Sequence, residues 1–205
     1  MTKEFWNQRY AEQEYAYGTE PNSWLKECLE KLQTGTMLVP ADGEGRNGVF
    51  AAQQGWQVTA FDISEEGRKK ALQLADTRGV SVNYDLCDMD EVDYPDASFD
   101  ALVLVFAHFP AVKRKAWHER LSKMIKPGGY LIMEAFHPDH QINQQINPAA
   151  GGPKEPSMLY TKELVTGDFP EWHMIELLQE EVMLQEGPYH VGKAAVVRVL
   201  AQKPL

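Results

Sequence analysis

Ten consecutive residues, Leu38-Val39-Pro40-Ala41-Asp42-Gly43-Glu44-Gly45-Arg46-Asn47, constrain this chain more than any other stretch: a short apolar strand runs into a glycine turn and then a helix start. Glycine is required where the backbone takes left-handed dihedrals or comes close to a ligand. Two glycines alone are weak evidence, because many strand-to-helix turns use them merely to reverse the chain. Asp62 strengthens the case. It ends the next apolar strand, Val58-Thr59-Ala60-Phe61, nineteen residues after Gly43, about where dinucleotide-type folds place an acid against a ribose hydroxyl pair. The alternative role for Asp62 is to cap the helix that follows Ser64.

The turn sits in an alternating pattern. Apolar runs suited to buried strands occur at 37–40, 57–61, 81–84, 99–106 and 130–135, with helix-like segments between them, which reads as a parallel sheet with crossover helices. Ser64 can cap a helix through Leu74, and Pro110 suits the first turn of one running to Ile125, stopped by Pro127-Gly128-Gly129. The stretch 147–156, rich in proline and glycine, reads as a surface loop. The tail alternates apolar and polar residues from Met174 to Leu184 and from Ala194 to Gln202 around Glu186-Gly187-Pro188, which predicts two antiparallel strands.

The 205 residues, 43% of them hydrophobic, can bury one substantial core, so one domain is expected. A formal charge of −10 argues against a nucleic-acid partner, since such affinity comes from clustered Lys and Arg on phosphates. The one short basic cluster, Lys113-Arg114-Lys115, is expected to be a solvated helix face. Without a membrane-length apolar run or a signal-like start, the chain is expected to be cytoplasmic with no membrane partner. Two cysteines, Cys28 and Cys87, make neither a disulfide framework nor a zinc site, and no metal is expected.

The turn also discriminates between ligands. A pyrophosphate would meet the Glu44 carboxylate unfavourably, whereas a cationic sulfonium would not. The Gly48 that follows Arg46-Asn47 is not expected to act as the third glycine of a dinucleotide fingerprint. At this point the chain resembles the class I S-adenosylmethionine-dependent methyltransferases, through the Gly43-Glu44-Gly45-Arg46-Asn47 turn and the strand-end Asp62. Within them it is similar to the tellurite-resistance and thiopurine-methyltransferase-like branch, through Leu38-Val39-Pro40, Gly45-Arg46-Asn47 and Gly55-Trp56-Gln57-Val58-Thr59-Ala60.

The resemblance implies a Rossmann-like three-layer α/β sandwich. Its sheet would be mostly parallel and seven-stranded, with an antiparallel strand near the C-terminus. Residues 1–35 would form a helical lid and first helix, and 36–205 the core. S-adenosyl-L-methionine would be the cofactor, held by Ala41, Asp42, Gly43, Glu44, Gly45 and Asn47 of the turn and by Asp62 and Ile63 after the second strand. Asp88 and Met89 would lie beside the adenine, with Asp85-Leu86 as a competing register. Phe106 would complete the wall. In the resembling enzymes a leading Trp-x-x-Arg-Tyr segment, here Trp6 to Tyr10, folds over the cofactor; this makes Arg9 and Tyr17 lid residues and suggests an Arg on the methionine carboxylate. Two positions depart from the pattern: Val39 replaces an acidic residue, and Ala41 replaces the motif's first glycine.

Methyl transfer from a sulfonium is a direct displacement, so alignment supplies much of the rate. Where the acceptor must lose a proton, His108, His137 and His190, predicted near the carboxyl ends of strands or in the last loop, are the candidate bases. Arg46 and Lys154 could attract an anionic acceptor, although Arg46 could equally tie down the turn through Asp42 or Glu44. The expected partner is a small-molecule acceptor, a thiol or a chalcogen oxyanion. The rivals are a nicotinamide-dependent oxidoreductase and a non-catalytic S-adenosylmethionine-binding protein.

Overall fold

The computed structural model describes residues 2–205. Strands β1 (Thr36–Pro40), β2 (Gln57–Asp62), β3 (Asn83–Leu86), β4 (Phe99–Val105), β5 (Ile125–Phe136), β6 (His173–Glu186) and β7 (His190–Gln202) form one sheet. Their order is β3-β2-β1-β4-β5-β7-β6. The pairings β1–β2, β1–β4, β2–β3 and β4–β5 are parallel, and β7 runs antiparallel to both of its neighbours. This is the seven-stranded α/β arrangement that the resemblance implied.

Both sheet faces are covered, which is why the central strands read as near-continuous apolar runs. Side chains alternate across the sheet. Leu38, Leu102, Leu104, Leu131 and Met133 pack on one side with Leu121 and Met124 of α5 (Ala111–Met124) and Val165 of α7 (Lys162–Asp168). Met37, Val39, Ala101, Val103 and Ile132 pack on the other with α2 (Ser23–Leu29), α3 (Arg46–Gln53) and α4 (Glu65–Thr77). Ser64 is the N-cap of α4, its hydroxyl accepting from Gly67 N at 3.1 Å, and α5 ends before Pro127. The chain starts with α1 (Lys3–Tyr10), and α6 (His140–Ile146) follows β5.

Several sequence expectations need correction. Strand β3 lies two residues later than 81–84, because its register on β2 pairs Thr59 with Asn83 and Asp62 with Leu86. Strand β7 starts at His190 rather than Ala194, as the hairpin with β6 stays paired down to Glu186 and His190. The segment 147–156 is not a plain surface loop: Ala150 is fully buried and packs the turn onto β7. Arg114 is not part of a solvated face, since its guanidinium is buried and pairs with Asp168 Oδ2 at 2.9 Å. The short helices α6 and α7 had no sequence expectation.

Candidate active site

Between β1 and β4 the strand order reverses, and open α/β sheets bind ligands at the carboxyl ends of strands beside such a switch. A cavity of about 500 Å³ opens there, within the usual range for small-molecule sites. It is bounded by the glycine turn, the N-terminal helix, the ends of β2 and β4, the 147–154 segment and the β6–β7 hairpin.

The turn is built to tight tolerances. Ala41 has φ 53°, Gly43 57° and Gly45 85°; the alanine adopts the left-handed conformation that the motif normally assigns to glycine, at a cost of about 1–2 kcal/mol. A Cβ on Gly43 would sit 2.5 Å from the Tyr10 hydroxyl, and one on Gly45 would sit 2.5 Å from Ala71 Cβ. Gly48 does occupy the third position of a G-x-G-x-x-G spacing, against expectation, and a Cβ there would meet Asp42 Oδ2 at 2.5 Å. Of the two features set against a dinucleotide only Glu44 remains, and its carboxylate is paired with Lys70 at 2.8 Å.

Asp62 contacts the start of the following helix and also faces the cavity. Its carboxylate accepts from Gly43 N at 3.1 Å and from Ser64 N at 2.9 Å, so it locks the turn to the start of α4 while lining the cavity. Burial raises its pKa to about 6, against those backbone N–H groups. Burial also raises Asp42 to about 8, opposed by its bond from Gly48 N at 3.2 Å. Glu44 is likewise pushed up by burial, while Lys70 at 2.8 Å and Ala16 N at 2.8 Å hold its carboxylate.

Of the expected cofactor residues, Arg9, Tyr17, Ala41, Asp42, Glu44, Asn47, Asp62, Ile63, Asp88, Met89 and Phe106 line the cavity. Gly43 and Gly45 shape the turn behind it. Asp88 and Met89 contribute to the wall, whereas Asp85 and Leu86 do not; Asp85 accepts from the Tyr94 hydroxyl instead. Arg9 donates to the Tyr17 hydroxyl at 3.2 Å and lies 3.8 Å above the Tyr189 ring. Phe106 has φ 51°, a strained conformation of the kind that clusters at functional sites, and its ring stacks 4.5 Å from Phe136.

The three histidines separate clearly. His137 does not line the cavity; its Nδ1 accepts from Asp139 N at 3.1 Å at the entry to α6. His108 lines it, but both nitrogens are occupied: Nδ1 lies 2.7 Å from Met158 O, and Nε2 accepts from Phe136 N at 3.3 Å. That fixes the Nδ1–H tautomer and uses the lone pair a base would need, and burial lowers the pKa to about 4. Neither is placed to take an acceptor's proton. His190 differs. Its Nδ1 lies 3.1 Å from Glu186 Oε2, no group among the described residues bonds its Nε2, and its ring packs 4.5 Å from Tyr17 and 4.6 Å from Phe106. Burial lowers its pKa, partly offset by Glu186, so the ring is neutral near pH 7.

Glu186 had no role in the sequence reading, although its spacing to His190 across Gly187-Pro188 was a usable signal. It binds Arg46 Nη2 at 2.9 Å and Asn22 Nδ2 at 3.2 Å as well as His190. Burial opposes its ionisation, but Arg46 and His190 outweigh it and hold its pKa at about 2. Arg46 thus pairs with the distant hairpin and not with Asp42 or Glu44, the alternative partners weighed for it. Among the described residues, no cluster of three or more His, Cys, Asp or Glu is arranged for a metal, and no helix is long and apolar enough to cross a membrane.

Residues 39–129 match a family model described as a methyltransferase domain. The chain is 25% identical over 199 residues to glycine N-methyltransferase of Oryctolagus cuniculus, covering 85% of this chain and 67% of that one. It is 31% identical over 127 residues to probable thiol methyltransferase 2 of Arabidopsis thaliana, covering 60% and 52%. Among solved structures, TehB from Haemophilus influenzae superposes with a TM-score of 0.71 at 14% identity, over 98% of this chain and 66% of that one. A protein solved in work on conversion of a disulfide into a thioacetal during echinomycin biosynthesis superposes at 0.81 and 17%, over 100% and 92%. At such identities the structural likeness is one of fold. Residues 39–129 carry the likeness to a methyltransferase domain, and the sheet has the fold of these solved neighbours. The chain spans from 37% to 67% of the length of the first curated relatives it matches.

Proposed function

We propose that this chain transfers the methyl group of S-adenosylmethionine to a small acceptor, a thiol or a chalcogen oxyanion, and that it stands nearest the tellurite-resistance and thiopurine-methyltransferase-like branch. The observation that carries the reading is the pairing, in one cavity, of the Gly43–Asp62 turn with a carboxylate-held imidazole whose second nitrogen has no protein partner. Likeness to a thiol methyltransferase and to TehB supports the branch.

The donor supplies an electrophilic methyl on a cationic sulfur. Asp62 retains lone pairs for ribose hydroxyls beyond its two backbone bonds, while Asp88 and Met89 form the adenine side. Tyr10, Tyr17 and Phe106 offer aromatic faces that stabilise a cation and exclude water. On the acceptor side, Glu186 orients His190 by the Nδ1–H bond, leaving Nε2 to take the proton of a thiol as the new bond to carbon forms. A chalcogen oxyanion would need no such base. In this reading residues 1–35 act as lid and first helix over the 36–205 core.

A thermal-shift titration with S-adenosylmethionine, S-adenosylhomocysteine and NAD(P) in parallel tests the proposal. A ligand at 100 times its Kd stabilises by about 2.7 kcal/mol, a rise of roughly 5–10 °C for a chain this size. Stabilisation by NAD(P) alone, or by none of them, would refute it.

A further inference from the structure

One charged side chain in the wall of the cavity keeps a buried donor without a partner among the described residues. Arg46, the first residue of α3, is buried at 7% exposure and lines the cavity. Its Nη2 donates to Glu186 Oε2, but Nη1 is buried with no hydrogen-bond acceptor. Native structures rarely leave a buried charged donor unmatched, and such exceptions mark a missing ligand or a strained site.

The carboxylates around Arg46 are committed elsewhere, and Glu134, whose Oε1 is also buried without a partner among the described residues, is held through Oε2 by Arg198 at 2.8 Å. Glu186 already serves Asn22, Arg46 and His190. Asp42 is bonded to Gly48 N, Glu44 to Lys70 and Ala16 N, and Asp62 to Gly43 N and Ser64 N. Arg9, the side chain expected on the methionine carboxylate, spends its guanidinium on Tyr17 and on the Tyr189 ring.

We infer that Arg46, not Arg9, is the carboxylate anchor of the cavity: its free Nη1 binds the acid group of a bound small molecule, with Glu186 fixing the guanidinium from the other side. Because Arg46 and His190 share Glu186 Oε2 at 2.9 and 3.1 Å, the anchored carboxylate lies close to the reacting region. Two sources present this chemistry, the amino-acid tail of the adenosyl ligand and an acidic group on the acceptor. The inference rests on the reading that the cavity takes S-adenosylmethionine.

Calorimetric titrations separate these cases. The first pair of probes is S-adenosylhomocysteine and S-adenosyl-3-thiopropylamine, which keeps the amine and lacks the carboxylate. The second pair, titrated into the S-adenosylhomocysteine complex, is mercaptoacetate and 2-mercaptoethanol. Each is measured on the native chain, Arg46→Gln and Arg46→Lys. A charged hydrogen bond of this kind corresponds to roughly a 10- to 100-fold change in affinity. If the anchor holds the cofactor tail, Arg46→Gln weakens S-adenosylhomocysteine by that factor, spares the decarboxylated analogue, and is partly rescued by Arg46→Lys. If it holds the acceptor, the same selective loss falls on mercaptoacetate and spares 2-mercaptoethanol. Disturbance of Glu186 and His190 alone would weaken both members of a pair equally; equal losses, or a carboxylate-dependent loss in neither pair, overturn the inference. Failure of the native chain to bind either adenosyl ligand would instead refute the proposed function.

Discussion

Asp42 is the sharpest test of how this site was built, because its carboxyl is buried beside the turn with burial raising its pKa from 3.8 to about 8. The folded value exceeds the unfolded one, so the folded chain binds the proton more tightly. The stability this provides is full below about pH 4 and is lost progressively as pH rises through about 8. A gap of about four pH units, at roughly 1.4 kcal/mol each, makes the ionised carboxylate cost on the order of 5 kcal/mol before relaxation. Asp42→Asn removes that cost. The amide oxygen can still accept from Gly48 N, while its new N–H groups need partners, at a cost of about 1–3 kcal/mol. The expected net gain in the ligand-free chain is therefore about 2–4 kcal/mol at pH 9, or roughly 4–16 °C in Tm at 2–4 °C per kcal/mol. Thermal melts of both proteins from pH 5 to pH 9 make the comparison, and the window above pH 7 isolates Asp42 because Asp62, at about 6, is already ionised there. The gap in Tm should widen with pH. A gap that stays constant, narrows, or is negative at pH 9 would refute the reasoning.

Ala41→Gly should raise stability by about 0.5–1 kcal/mol, since relief of the left-handed alanine exceeds the extra unfolded-state entropy of glycine; a lower Tm would show that the turn is not strained. With a thiol acceptor, His190→Gln should cut kcat by about 10²- to 10⁴-fold. Because burial lowers the His190 pKa, the acid limb of the native kcat–pH profile should lie below pH 6.5 and vanish in the variant; an unchanged kcat would exclude His190 as the base. Asp168→Ala strips the buried Arg114 and His118 of their shared carboxylate oxygen at 2.9 Å, and urea unfolding should show a loss of about 3–5 kcal/mol; a loss under 1 kcal/mol would mean the pair is solvated in solution.

Local patterns carried most of the fold. The apolar runs of β1, β2 and β4 were legible because both faces of a central strand are buried, and Ser64 was legible as a cap because its hydroxyl does what serine does at helix starts. Edges were less legible. The short β3 is placed by its pairing with β2 and by Tyr84 donating to Gly43 O at 2.6 Å, neither of which is visible in a window of Ser81 to Tyr84. At the site, Asp62 was legible from its spacing to the turn. The division among the histidines was not, because it depends on which ring nitrogen the folded backbone engages: distant Met158 O for His108, and the turn geometry that sets Asp139 N on His137 and Glu186 on His190. Arg114 was not legible because its partner, like that of His108, is remote: Asp168 lies 54 residues away.

The features that resist local explanation concentrate around one cavity. Ala41 and Phe106 hold left-handed dihedrals, Asp42 and Asp62 are carboxyls whose burial disfavours ionisation, and Arg46 Nη1 is an unmatched donor among the described residues. Each costs folding free energy, yet the sheet core beneath them is apolar and close-packed. A cationic ligand with a carboxylate tail would relieve several of these costs together: its positive charge favours ionised Asp42 and Asp62, and its acid group completes Arg46. Ligand binding should then release a proton from Asp42 at pH values below about 8, and one from Asp62 only below about 6. On the proposed function, the charges that cost folding free energy would contribute to ligand affinity, a coupling that a cavity shaped only for packing would not show.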